Sequence, residues 1–149
     1  MKRLVTPALA ILCAAFFSMS SHAQFAKTED AIKYRQSAMF TQSQHVARLG
    51  AMASGRVPYD AAAAVANAEV VTQISRLPWA GFAAGTEGGK AKPEIWKEQA
   101  KFKELSERLM ADTDKLLVAA KAGNLDALKA AMGPLGETCK ACHDSFRNR

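Results

Sequence analysis

Residues 125–146, with the sequence LDALKAAMGPLGETCKACHDSF, carry the most regular apolar pattern of the chain. Apolar residues and cysteines recur there at alternating steps of three and four, the spacing that places side chains on one face of an α-helix. The positions are Leu125, Leu128, Met132, Leu135, Cys139, Cys142 and Phe146. The segment therefore predicts an amphipathic helix whose buried face includes two cysteines.

A proline interrupts this pattern. Gly133, Pro134 and Gly136 lie inside the segment, and an internal proline removes one helical hydrogen bond at a cost of about 3 kcal/mol. We expect either a kink there or a helix that begins anew at Pro134. In both cases the last turns of the segment, with the two cysteines, remain helical.

These last turns contain Cys139-Lys140-Ala141-Cys142-His143, the C-x-x-C-H signature of covalent c-type haem attachment. Two thiols three positions apart can add to the two vinyl groups of one porphyrin, and the adjacent imidazole can ligate its iron. On a helix, the three side chains project within a sector of about 100°. The sequence therefore predicts one haem c, bound covalently through Cys139 and Cys142, with His143 as the iron ligand.

A cysteine pair with this spacing has three other possible uses. A thioredoxin-type redox dithiol follows a strand, and no βαβ pattern precedes the pair. A structural zinc site needs four ligands, whereas residues 24–149 offer two cysteines and two histidines, His45 and His143, at unsuitable spacings. An exported helical interaction module with a disulfide is the third alternative, and such a protein would be colourless.

The N-terminus predicts export. A charged start precedes a mostly apolar stretch, and Ser21-His22-Ala23 forms a small-residue cleavage site. The uninterrupted apolar run 8–17 is too short to span a membrane. We therefore expect a cleaved secretory signal peptide over residues 1–23, no membrane anchor, and a periplasmic domain over residues 24–149.

The charge of the chain is mildly basic. The 20 lysines and arginines against 14 acidic residues give a formal charge of +6, which falls to +4 when Lys2 and Arg3 leave with the signal. This charge is too small and too evenly scattered to predict binding to nucleic acid or to a membrane surface. A periplasmic redox partner, of unidentified nature, remains an expectation.

Three further helices are predicted ahead of the haem segment. Apolar periodicity predicts them over residues 29–53, 60–74 and 93–123, and the glycine-rich connection 79–92 suits a loop that passes close to a bulky group. The segments together predict an all-α fold, an antiparallel four-helix bundle with covalently bound haem c between facing helices. The apolar stripe of the first helix is expected at Ile32, Met39, Val46, Leu49 and Met52.

An exported four-helix bundle with one C-x-x-C-H motif on its last helix resembles the cytochrome c-prime family, the class II c-type cytochromes. Ordinary mitochondrial-type cytochromes c carry this motif near the N-terminus, so its position disfavours that class. The resemblance spans residues 24–149. It is carried by KYRQSAM at 33–39, PWAGF at 78–82, GTEGG at 85–89, KPEIW at 92–96 and CKACHD at 139–144.

The resemblance implies haem contacts beyond the motif. Arg35 and Gln36 match family positions at the haem edge, where a guanidinium pairs well with a propionate. The alternative for Arg35 is an exposed arginine on the first helix. Thr86 and Glu87 match loop positions that contact the haem in relatives.

Met39 separates two mechanisms that the resemblance implies. In pentacoordinate members the corresponding side chain only fills the space above the iron, which stays open to nitric oxide or carbon monoxide. In low-spin relatives of the cytochrome c-556 type, a methionine of the first helix is the sixth ligand, which suits electron transfer. We expect the open iron, with His143 as its protein ligand and an apolar distal face that lacks a hydrogen-bond donor and disfavours water and anions.

The expected function is gas binding, electron carrying or both, with a Met39-ligated electron carrier as the alternative. No acid/base pair or distal histidine is evident, so enzymatic turnover is not expected. The resemblance also implies a homodimer formed through the first helix.

Overall fold

The computed structural model describes residues 24–148. Residues 1–23, which hold the predicted signal peptide, and Arg149 lie outside this range. Within the described part, a 3₁₀ helix over Pro78–Phe82 accompanies the α-helices, and β-structure is limited to one bridge between Ala91 and Arg147. The α-helices are α1 (Thr28–Ala53), α2 (Ala61–Ile74), α3 (Glu94–Lys97), α4 (Gln99–Lys121) and α5 (Leu125–Phe146).

The four long helices form a closed ring. α1 packs on α2, α2 on α4, α4 on α5, and α5 returns to α1. α2 and α4 are antiparallel. Glu69 of α2 pairs with Lys121 at 3.8 Å, whereas Arg76, just after α2, pairs with the earlier residue Asp114 at 2.8 Å. The predicted antiparallel four-helix bundle is confirmed. No helix in residues 24–148 is long and apolar enough to cross a membrane.

The helix boundaries follow local signals in the sequence. The Asp60 carboxylate accepts a hydrogen bond from the Ala63 amide at 3.0 Å and caps the start of α2. Pro134 does not begin a new helix, because α5 continues through it. The predicted third helix is divided in two, since Glu98 leaves helical backbone geometry between α3 and α4.

The apolar core fills one end of the bundle. It combines the last turns of α1, the body of α2, the second half of α4 and the first half of α5, where each fully buried leucine contributes about 1.5–3 kcal/mol. Its members are Leu49, Met52, Ala64, Ala68, Val71, Leu109, Leu116, Ala120, Leu128 and Leu135. The C-x-x-C-H motif lies beyond this core, toward the other end of α5.

The buried face of α1 differs from the prediction. Leu49 and Met52 are buried as expected, whereas Ile32, Met39 and Val46 are only half-buried. The reason is that the N-terminal half of α1 buries small and polar side chains against the connection that follows α2. The buried positions of α1 are Ala31, Arg35, Ala38, Gln42, Leu49 and Met52.

Candidate functional site

The three motif residues lie near the end of α5. Cys139 and Cys142 are half-buried, and their sulfurs are free rather than joined in a disulfide. His143 is exposed on the surface of α5; partial desolvation and the nearby charge of Arg147 lower its pKa, while Asp144 opposes this shift. His143 therefore favours the neutral imidazole, the form that ligates iron.

The thiol pKa values argue against a redox dithiol. Burial raises the pKa of Cys139, to which Asp112 adds, and burial together with Cys139 raises that of Cys142 to about 11. Redox-active C-x-x-C pairs instead have a thiol whose pKa is lowered. In the described residues no group of three or more His, Cys, Asp and Glu side chains could hold a metal ion, so the zinc alternative finds no support there.

A buried carboxylate lies beside the motif. Asp112 of α4 is only 4% exposed and accepts a hydrogen bond from the Thr138 hydroxyl at 2.7 Å. Lys115 also reaches Asp112, at 3.3 Å, and Arg108 lies at 3.9 Å. The sequence reasoning missed this residue, although Asp112 stands at the regular three- and four-residue steps between the core positions Leu109 and Leu116.

Arg35 is enclosed by the connection between α2 and α3. Its guanidinium donates to the carbonyl oxygens of Gly81, of Thr86 at 2.7 Å and of Gly88 at 2.9 Å, and it stacks 4.6 Å from the ring centre of Phe82. At 3% exposure it is not the surface arginine of the alternative interpretation. Its pairing with a propionate stays a prediction.

The other loop residues singled out by sequence meet at the same place. Thr86 is buried and donates to the Ala83 carbonyl at 2.7 Å, while Glu87 is exposed beside it. Gln36 is exposed on α1, and a Cβ atom at Gly89 would lie 2.8 Å from its Nε2 atom. The four predicted positions 35, 36, 86 and 87 are thus gathered where α1 meets this loop.

The loop is tied in turn to the end of α5. The Lys92 amide donates to the Phe146 carbonyl at 3.0 Å, and the Asn148 amide donates to the Lys90 carbonyl at 2.9 Å. The N-terminal half of α1, the loop and the motif end of α5 therefore form one neighbourhood.

Met39 lies at the level of the motif. α1 and α5 are antiparallel neighbours, and a Cβ atom at Gly50 would lie 3.6 Å from Met132 Cε, so these two positions are about level. Both helices rise about 1.5 Å per residue. Met39 lies eleven residues before Gly50 on α1, and His143 lies eleven residues after Met132 on α5. Met39 and His143 are therefore about level, and Met39 is half-buried.

A buried amide lies one turn from Met39. Gln42 is 6% exposed, and its Oε1 atom is buried without a hydrogen-bond partner. The register between α1 and α5 places it about level with Lys140, between the two cysteines. An unsatisfied buried polar atom costs about 1–3 kcal/mol, so this atom is a candidate contact for a group bound at the level of the motif. The sequence reasoning did not identify Gln42.

Aromatic rings line the same end of the bundle. They form a continuous chain of contacts with centroid separations of 4.9–6.4 Å, and Arg35 stacks on its edge. The sequence left open whether Trp79, Phe82 and Trp96 pack on a cofactor or on one another, and contacts among them exist. The rings are those of Trp79, Phe82, Trp96, Phe102 and Phe146.

This set of residues fits a haem c. Two unlinked thiols three positions apart can form the thioethers, and a neutral imidazole follows them. The aromatic chain supplies apolar contact area, and the orphaned Gln42 oxygen marks a place where a partner is missing.

Comparison with known proteins gives a consistent result. The family model described as Cytochrome C' matches residues 30–147. Cytochrome c' of Alcaligenes xylosoxydans xylosoxydans is 51% identical over 126 residues, covering 85% of this chain and 99% of the relative. A solved nitric oxide complex of a variant of cytochrome c prime from Alcaligenes xylosoxidans is 50% identical with a TM-score of 0.81, covering 85% of this chain and 99% of that one. Cytochrome c-556 of Rhodopseudomonas palustris is less similar, at 34% identity, covering 81% and 85% respectively.

Proposed function

This chain belongs to the cytochrome c' family and carries one covalent haem c, and from this we propose a periplasmic monohaem cytochrome that binds nitric oxide and carbon monoxide at an open iron. Cys139 and Cys142 hold the haem, and His143 is the only protein ligand of its iron. The observation that supports a haem site is that half-buried Met39 lies at about the level of His143, one turn after Arg35, which the loop holds. The open iron is proposed because the chain is more similar to cytochrome c' than to cytochrome c-556.

The residues around the haem would have separate roles. When bound, the haem supplies an iron that cycles between ferric and ferrous states and takes up a diatomic gas. His143, whose pKa is lowered by partial desolvation and by Arg147, would ligate this iron. Met39 would cover the open position without binding the iron, and the aromatic chain would add apolar side chains at the same end of the bundle.

Two comparisons support the open iron over the alternative. The relative named cytochrome c' is 51% identical, whereas the one named cytochrome c-556 is 34% identical. A structurally similar protein has been solved with nitric oxide. The six-coordinate electron carrier stays as a second candidate because Met39 is at the level of His143. Electron carrying by the open iron belongs to the same proposal, and catalytic turnover does not.

The decisive experiment is optical spectroscopy of the purified mature protein, ferric and ferrous, with and without carbon monoxide and nitric oxide. We expect a high-spin ferrous spectrum that shifts promptly on adding gas, in wild type and in Met39→Leu alike. A low-spin spectrum without gas response, which becomes high-spin and gas-responsive only in Met39→Leu, would establish Met39 as sixth ligand instead.

The export proposal is tested separately by the mass of the mature protein. Cleavage after Ala23 predicts that the periplasmic fraction contains a red protein beginning at Gln24. A protein that retains residues 1–23 in the membrane fraction would overturn it.

A further inference from the structure

The buried amide of Gln42 has no function in the arrangement described so far. Its neighbours on the buried face of α1 are Ala38, one turn before it, and Leu49, two turns after it, and neither offers a side-chain hydrogen bond. Its Oε1 atom is shielded from solvent and unpartnered. A buried amide costs stability unless it is paired, so a leucine at this place would be expected if packing were its only role.

The position of Gln42 indicates what the missing partner is. Gln42 follows Met39 by three residues, which places both on one side of α1, and the register with α5 sets them at the level of residues 140–143. Met39 is the residue assigned above to the open side of the iron. Gln42 therefore lies at about the level of the motif and on the same side of α1 as Met39, the side proposed to face the open iron position.

An amide is suited to contact a small polar ligand. Rotation by 180° about its last bond exchanges Oε1 and Nε2, so the same buried point can accept from a bound water or donate to a bound diatomic molecule. A hydrogen bond made where water is excluded is stronger than one made in solvent.

We propose that Gln42 is a ligand-discriminating residue whose amide hydrogen-bonds to the molecule bound on the open side of the iron. This inference rests on the proposed function. It revises the expectation that the distal face lacks a hydrogen-bond donor: ligands with a polar outer atom are held by Gln42, whereas carbon monoxide, a weak acceptor, gains less. The protein thereby favours nitric oxide, and admits water or a small anion on ferric iron.

The test is the C–O stretching frequency of the ferrous carbon monoxide complex, measured by infrared spectroscopy. A donor beside the ligand oxygen lowers this frequency, so Gln42→Leu should raise it. Gln44→Leu, which changes an exposed amide on the same helix, should leave it at the wild-type value. An unchanged frequency in Gln42→Leu overturns the proposal.

Ligand dissociation gives a second, independent measurement. Loss of one neutral hydrogen bond should speed nitric oxide dissociation from Gln42→Leu by about threefold to tenfold, with a smaller change for carbon monoxide. Equal acceleration of both gases would mean that the variant only loosens packing, and would overturn the assignment. If Gln42→Leu yields no folded protein, Gln42→Met is measured in the same way.

Gas binding by the wild-type protein tests the proposed function separately from the role of Gln42. If the wild-type protein binds no gas, the open iron is wrong, and the same infrared comparison is made in a Met39→Leu background, where the iron is free. A frequency that responds to Gln42 there still supports the role of Gln42. A frequency that does not respond overturns it.

Discussion

At the scale of single residues, Asp112 places a negative charge against the haem-attachment segment. The hydroxyl of Thr138, the residue before Cys139, donates a hydrogen bond to the Asp112 carboxylate at 2.7 Å. Asp112 itself is almost fully buried. A buried negative charge stabilises ferric iron over ferrous iron, because the ferric form carries one more positive charge. Asp112 should therefore hold the reduction potential below the value that an uncharged neighbour would allow.

The change Asp112→Asn tests this effect. Asparagine keeps an oxygen that can accept from Thr138 but removes the charge, and we expect the reduction potential to rise by tens of millivolts, about 1 kcal/mol at the effective dielectric of a protein interior. The measurement is a spectroelectrochemical titration. The control is Asp114→Asn on the same helix, which removes an exposed carboxylate paired with Arg76, and should shift the potential far less. Equal shifts in the two variants would contradict the prediction.

The hydrogen bond itself contributes to stability. Replacing Thr138 by valine keeps the shape of the side chain but removes the hydroxyl that donates to Asp112. The carboxylate then loses a buried partner, and we expect the free energy of unfolding to fall by about 1–3 kcal/mol. Chemical denaturation of the holoprotein measures it. Ser43→Ala, which removes an exposed hydroxyl on α1, serves as the control, and a loss no larger than that of the control would refute the expectation.

Residue roles were predictable from the sequence where a motif encodes them. Cys139, Cys142 and His143 are identified by spacing alone, because covalent attachment fixes that spacing. Arg35 was singled out only through the family resemblance, and Gln42 and Asp112 were missed, since all three are polar residues on buried helix faces. A hydropathy pattern reports apolar side chains, and the burial of a polar one depends on partners from distant elements.

At the scale of elements, the backbone of the 3₁₀ helix over Pro78–Phe82 packs closely against α1. A Cβ atom at Gly81 would lie 2.8 Å from the Ala31 carbonyl oxygen and 2.9 Å from Arg35 Cβ. Only glycine allows this approach, and the approach lets the Gly81 carbonyl accept from the Arg35 guanidinium. The contact therefore fixes both the loop and the arginine.

Two alanine substitutions test this close contact. Gly81→Ala should lower the free energy of unfolding by about 1–3 kcal/mol, because the methyl group meets backbone that cannot move aside. Gly136→Ala adds a methyl group in open space on the exposed side of α5 and should raise stability by up to about 1 kcal/mol through helix propensity. Thermal unfolding of both holoproteins measures the difference. If Gly81→Ala is as stable as wild type, the loop does not hold α1 as described.

Among the helices and their connections, local sequence signals predict only some of the helix boundaries. α2 begins and ends near its predicted positions, because Asp60 caps its start and Pro78 begins the next helix. The break at Glu98 between α3 and α4 carries no glycine or proline, so local sequence gives no sign of it. The rotation of the buried face of α1 likewise arises from the loop packed on it.

At the scale of the whole molecule, one outer face of the bundle is apolar and grooved. The first half of α1 and the end of α2 enclose a cleft of about 480 Å³, and Leu77 at its edge is 46% exposed. Such a face is typical of an interface in a symmetric dimer. The cleft is lined by Phe25, Asp30, Lys33, Tyr34, Ser37, Ala38, Thr41, Ile74 and Leu77.

The homodimer expected through the first helix would use this face. We predict that the mature holoprotein is a dimer and that Leu77→Glu weakens it, because a carboxylate placed on this largely apolar surface loses solvation when the interface forms. Sedimentation equilibrium over a range of concentrations measures the mass. Val118→Glu is the matched control, since Val118 is a 71% exposed apolar residue on α4, outside the cleft, and its change should leave the dimer intact. A wild-type monomer, or a Leu77→Glu dimer of unchanged affinity, would show that this face does not form the interface.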